Sequence, residues 1–169
     1  MTVPRETLQS RLHLAAVLLC AWLILTSPWV SMLRRIPAGA GLVDWAHVVL
    51  GCAALIAGST YLYACTRGER WRLYFPWLAG DVGAAARDLG GLLRRRLPSA
   101  EGGGLFAVIE GLLLLALLVV GVTGVAWLAL QGGAEALACR EVHIVAARVL
   151  MGLIVAHVLA VATHLIELA

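Results

Sequence analysis

The sequence predicts an all-α integral membrane protein, a four-helix bundle, from three observations. Hydrophobic residues make up 62% of its 169 positions and the mean hydropathy is +0.91, whereas soluble domains run near roughly 45–50% apolar. That apolar material falls into four blocks, residues 12–33, 43–64, 105–130 and 142–168, each meeting the ~20 residues that a spanning helix needs. The third observation is a set of five histidines within or at the edges of those blocks, His13, His47, His143, His157 and His164. The chain is read as a single membrane domain over residues 1–169, without internal repeats.

The first block follows a short polar leader. It is too long for a cleaved signal sequence, and Ser27, Pro28, Trp29 and the paired Arg34 and Arg35 make a poor cleavage context. A retained helix is therefore expected, with His13 near one edge. Pro28 ends or kinks it early, because proline cannot donate to the helical ladder. After a Gly- and Pro-rich loop the second helix opens near Asp44, an N-cap candidate, and Trp45. His47 lies in its first turns, and Gly51, four residues on, leaves a groove beside that imidazole.

The segment from Cys65 to Gly104 is the one substantial stretch outside the apolar blocks. Trp71, Tyr74, Phe75 and Trp77 suit a headgroup belt, and residues 81–96 read as an amphipathic interfacial helix. Its Arg94, Arg95 and Arg96 fit anchoring to anionic lipid headgroups. The third block carries Glu110 as its charged residue, and Gly121 and Gly124 as small positions for close packing against a neighbour or a flat cofactor. The fourth helix opens at about His143 and carries His157 and His164.

All thirteen basic residues are arginines. Arg5, Arg11, Arg67, Arg70, Arg72, Arg87, Arg94, Arg95 and Arg96 fall on one side of the four blocks, while Arg34, Arg35 and Arg140 fall on the other. The positive-inside rule puts both termini in the cytoplasm. Cys20, Cys52, Cys65 and Cys139 show no CxxC or CxxCH spacing, which speaks against covalent c-type haem and thioredoxin chemistry.

The histidines sort by depth. His143 and His157 are fourteen residues apart, about 21 Å along a helix and within about 40° of one face. His47 shares the outer level with His143, and His13 enters from the inner side at the level of His157. Two pairs at two depths suit two stacked b-type haems, each iron taking an imidazole from either side. Zinc wants four ligands at one centre, and depth separates these. A proton-coupled, haem-free role for the same histidines stays open at this stage. Arg148, costly inside a span, is expected to face the bundle interior, where a haem propionate is one possible partner and snorkelling the alternative.

Arg11-Leu12-His13, Trp45-Ala46-His47 with Gly51, and His143 through Ala147 to His157 resemble the bacterial di-haem cytochrome b group. That group takes in cytochrome b561, the nickel-iron hydrogenase b-type subunit and the formate dehydrogenase gamma-subunit. Tyr74, Pro76 and Asp81 of the inner loop and Thr123-Gly124 extend the likeness over nearly the whole chain. The resemblance implies an inner haem b on His13 and His157 and an outer one on His47 and His143. His164 competes with His157 for the inner iron if the first helix runs straight to Leu33; otherwise it is a possible quinone or proton-uptake site.

The implied function is an electron-transfer subunit in the bacterial inner membrane, working between an outward-facing partner and the quinone pool. The partner would be a dehydrogenase, reductase, iron-sulfur or cytochrome subunit, and no nucleic acid is expected. The alternative is a self-standing membrane quinone oxidoreductase acting on a small redox species such as superoxide.

Overall fold

The structure, a computed structural model, describes residues 5–94 and 104–167, with side chains described for residues 7–94 and 104–162. Every regular element among them is helical: α1 (Arg5–Thr26), α2 (Leu42–Thr66), α3 (Trp71–Tyr74), α4 (Gly83–Leu93), α5 (Leu105–Leu130) and α6 (Ala136–Glu167). Short 3-10 turns cover Ser27–Trp29, Gly68–Arg70 and Pro76–Ala79. The helices α1, α2, α5 and α6 are long and apolar enough to cross a membrane.

Their surfaces agree with that solvent. Leu14, Leu18 and Leu25 on α1 are exposed, as are Val49, Ile56 and Tyr63, seven residues apart, on α2. Lipid tails solvate such side chains as well as a protein core does, so the helices need not bury them.

The chain divides into two compact units. The first comprises Met1–Leu62 and Ala116–Val149. Here α1 gives way at Thr26 to the turn that holds Pro28, the early end that proline imposes. The loop that follows is tied to the turn between α5 and α6. Trp127 donates its indole N–H to the Leu33 carbonyl at 2.9 Å, and Arg140 donates Nε–H to the Met32 carbonyl at 2.9 Å. The Gly132 amide donates to the Arg34 carbonyl at 2.7 Å. Met32 and Trp127 are thereby held against Ala136 in a small buried cluster.

Asp44 is the buried polar group of this unit. Helix α2 starts at Leu42, so Asp44 sits in the first turn, not at the N-cap position expected from sequence. Its carboxylate accepts from the Ser31 amide at 2.9 Å, from the Ser31 hydroxyl, and from the Gly41 amide at 3.1 Å. Reaching back to the residue before the helix is the role an acidic side chain plays in a capping box. Helix α6 begins at Ala136, six residues before the expected start. Ala136, Leu137, Ala138, Arg140 and Glu141 are strong helix formers, and they place His143 two turns inside the helix.

The second unit comprises Tyr63–Leu115 and Leu150–Ala169. Cys65 is fully buried and shares a hydrogen bond with Tyr74; burial first, then this bond, pushes the Tyr74 phenol up to about 12. Phe75 does not join a headgroup belt. It is buried, with its ring edge-on to Trp77 at 5.4 Å between centroids, since the turn at Pro76 folds one aromatic onto the other. Helix α4 is shorter than the 81–96 expected; Val82, Leu89, Leu92 and Leu93 are exposed along it, the apolar surface an interfacial helix offers to lipid. Arg95 and Arg96 lie outside the described residues. Asp88 of α4 accepts the Leu105 amide at 2.9 Å and so satisfies one of the free donors at the start of α5.

At Gly111, α5 passes directly over the Tyr74 carbonyl and the Trp77 ring, leaving no room for a Cβ. Gly111→Ala is expected to cost about 1–3 kcal/mol through overpacking, read as a lower Tm of the detergent-purified protein. A Cβ at Gly90 meets nothing within 4 Å, so Gly90→Ala should leave the Tm at or above that of the parent.

Candidate functional site

Within the first unit, α2 and α6 bring His47 and His143 together. Their ring centroids are 6.4 Å apart and the planes are nearly perpendicular, at 78°. Both side chains are half-buried. His143 Nδ1 lies 3.0 Å from the Val120 carbonyl and 3.3 Å from Thr123 Oγ1, both on α5. A carbonyl oxygen only accepts, so Nδ1 carries the proton and donates it. That fixes the tautomer: Nε2, on the far edge of the ring, is left with its lone pair free to bind a metal. Gly124 keeps this arrangement possible, because a Cβ there would sit 3.2 Å from Cε1 and 3.3 Å from Nδ1 of His143.

The other imidazole is placed differently. His47 Nδ1 is buried with no hydrogen-bond partner among the described residues. One turn further along α2, a Cβ on Gly51 would meet nothing within 4 Å, so the helix surface beside His47 is open. An unpaired buried ring nitrogen is costly in a protein that gives it no task.

The pair fits a haem iron. Two imidazoles that would share one metal at roughly 2.0 Å per nitrogen need their ring centres on the order of 6 Å apart. The observed 6.4 Å is close to that separation. Among the described residues no group of three or more His, Cys, Asp or Glu is gathered to hold a metal ion. A haem, which would need only His side chains from the protein, fits the two donors that are here.

His13 and His157, expected from sequence to share the inner level, fall in different units. His13 is exposed on α1, with its ring 5.6 Å from that of Tyr61. His157 is half-buried on α6 in the second unit, with its ring 5.3 Å from Phe106. Neither Tyr61 nor Phe106 stands out in the sequence alone. The signal that could have found Tyr61 is its interval of fourteen residues from His47 on α2, the spacing that separates His143 from His157 on α6. His164 lies in α6 with its side chain outside the described residues.

The cost of Arg148 within a span predicts that it faces the bundle interior, with a haem propionate or snorkelling as its alternatives. Its side chain is exposed, turned about 140° around α6 from His143 and about 180° from His157. Two arginines are engaged in the first unit: Arg140 ties down Met32 and pairs with Glu141 at 3.2 Å, and Arg34 donates Nη2–H to the Gly133 carbonyl at 3.4 Å.

A family model described as prokaryotic cytochrome b561 matches residues 6–168. No curated protein and no solved structure gives a significant match.

Proposed function

The chain belongs to the prokaryotic cytochrome b561 family, and from that premise we propose that it is a di-haem cytochrome b subunit carrying electrons across the membrane between an outward-facing redox partner and the quinone pool. Membership makes it a b-type haem protein of electron transfer, and its four apolar helices make it a multi-pass protein of a bacterial membrane. The observation that carries the finer reading is the His47–His143 pair, spaced for one iron and with His143 locked in the ligating tautomer.

Bound haem b supplies one-electron chemistry at its iron. The residues of the chain hold and tune it. His47 and His143 would hold the outer haem through their ring nitrogens, and the Val120 carbonyl holds the His143 ring in orientation. By sequence register and the fourteen-residue spacing along α6, His13 and His157 would hold the inner haem. Gly51 and Gly124 keep side chains off the surfaces beside His47 and His143. Arg148, on the opposite face of α6, has no part in this set.

The arginine asymmetry supports cytoplasmic termini, with the loops around Arg34, Arg35 and Arg140 facing outward to the partner. His164, one heptad beyond His157 along α6, is a candidate for a quinone hydrogen bond or proton uptake, with interfacial packing as its alternative. Electrons can run either way along the same ligands. The reading is tested by mixing the purified, oxidised protein with a quinol under anaerobic conditions. Reduction of both haems is expected; haems that reduce with dithionite and stay oxidised with quinol would remove the quinone pool from the account.

A further inference from the structure

The hydroxyl of Thr123 has one proton and two lone pairs, and its surroundings determine how they are used. Oγ1 lies 2.7 Å from the Val119 carbonyl and 3.0 Å from the Val120 carbonyl. It donates to the nearer, one turn back along α5, as a threonine inside a helix commonly does. An oxygen lone pair is then left for His143 Nδ1–H at 3.3 Å. The Val120 carbonyl accepts the same N–H at 3.0 Å. The single Nδ1 proton of His143 is therefore shared between two acceptors, both supplied by one turn of α5.

We propose that Thr123 is a positioning residue that lowers the redox potential of the outer haem alone, acting through His143. A proton drawn toward two acceptors leaves the imidazole more electron-rich. A more basic axial nitrogen stabilises the ferric over the ferrous state. The effect enters from one side of the iron, because His47 Nδ1 has no acceptor among the described residues. Gly124, next to Thr123, leaves the ring free to approach the hydroxyl. The proposal rests on His143 being an axial ligand, and its test keeps the two apart.

The test compares Thr123→Val, which keeps the shape and removes the hydroxyl, with Thr123→Ser, which keeps the hydroxyl. Purified proteins are titrated optically against redox potential and the two haem midpoints are resolved. Thr123→Val is expected to retain both haems, with one midpoint moved upward and the other unchanged, while Thr123→Ser titrates as the parent does. Unchanged midpoints in Thr123→Val, equal movement of both, or the same shift in the serine variant would overturn the proposal. Loss of one haem from the valine variant with full retention in the serine variant still assigns the hydroxyl to His143. Loss from both variants makes the residue a packing element and also overturns it. A His143→Ala protein that keeps both haems strikes at the ligand assignment itself, whereas a silent Thr123→Val beside a His143→Ala protein short of one haem strikes only at the tuning.

Discussion

His143→Ala is expected to leave a folded protein with one haem in place of two. In the proposed account the imidazole would offer the outer iron a nitrogen whose tautomer is already set by the Val120 carbonyl, and the His47 ring lies 6.4 Å away between centroids. Removing it leaves His47 as a lone axial ligand. No other His, Cys, Asp or Glu among the described residues is grouped with that pair to replace it. The helix should survive, since alanine is the best helix former and the loop around it is held by Trp127, Arg140 and Asp44, none of which depends on this ring. The haem-to-protein ratio should halve, with the remaining haem keeping its own midpoint. His47→Ala should give the same count, because the outer haem needs both partners.

His157→Ala should remove the inner haem, and His164→Ala should keep it. His157 follows His143 by fourteen residues on one helix, and two ligands at that interval present their rings within about 40° of each other at separate depths. The Phe106 ring beside His157 limits how the imidazole can turn. The end of α1 bears on the choice as well. A first helix running straight to Leu33 favours His164, and an early end favours His157; α1 stops at Thr26, before Pro28. Haem counting on the two variants decides the matter: loss from His164→Ala with retention in His157→Ala would reverse the inner assignment.

The four helices and the meeting of His47 with His143 were legible in the sequence because each rests on local information. Apolar run length reports a span, and a fixed interval along a helix reports a shared face. Pro28 likewise acts on its own helix. Three features were hidden because they depend on what another segment brings. The capping of Asp44 depends on Ser31, thirteen residues back in an irregular loop. The tautomer of His143 depends on a carbonyl twenty-three residues away, and a backbone acceptor leaves no mark on residue type. The inward-turned Phe75 depends on Pro76 folding the chain back, which aromatic composition alone does not reveal. Arg148 shows the converse. The cost of a charge in a span argues for an interior position, yet the Arg148 side chain is exposed, on the face of α6 turned away from His143 and His157.

The most direct measurement is the haem b content of the purified parent protein against that of His143→Ala. Two haems b per chain in the parent and one in the variant are expected. One haem per chain in the parent, or an unchanged count in the variant, would contradict the two-haem account and the His47–His143 site on which it stands.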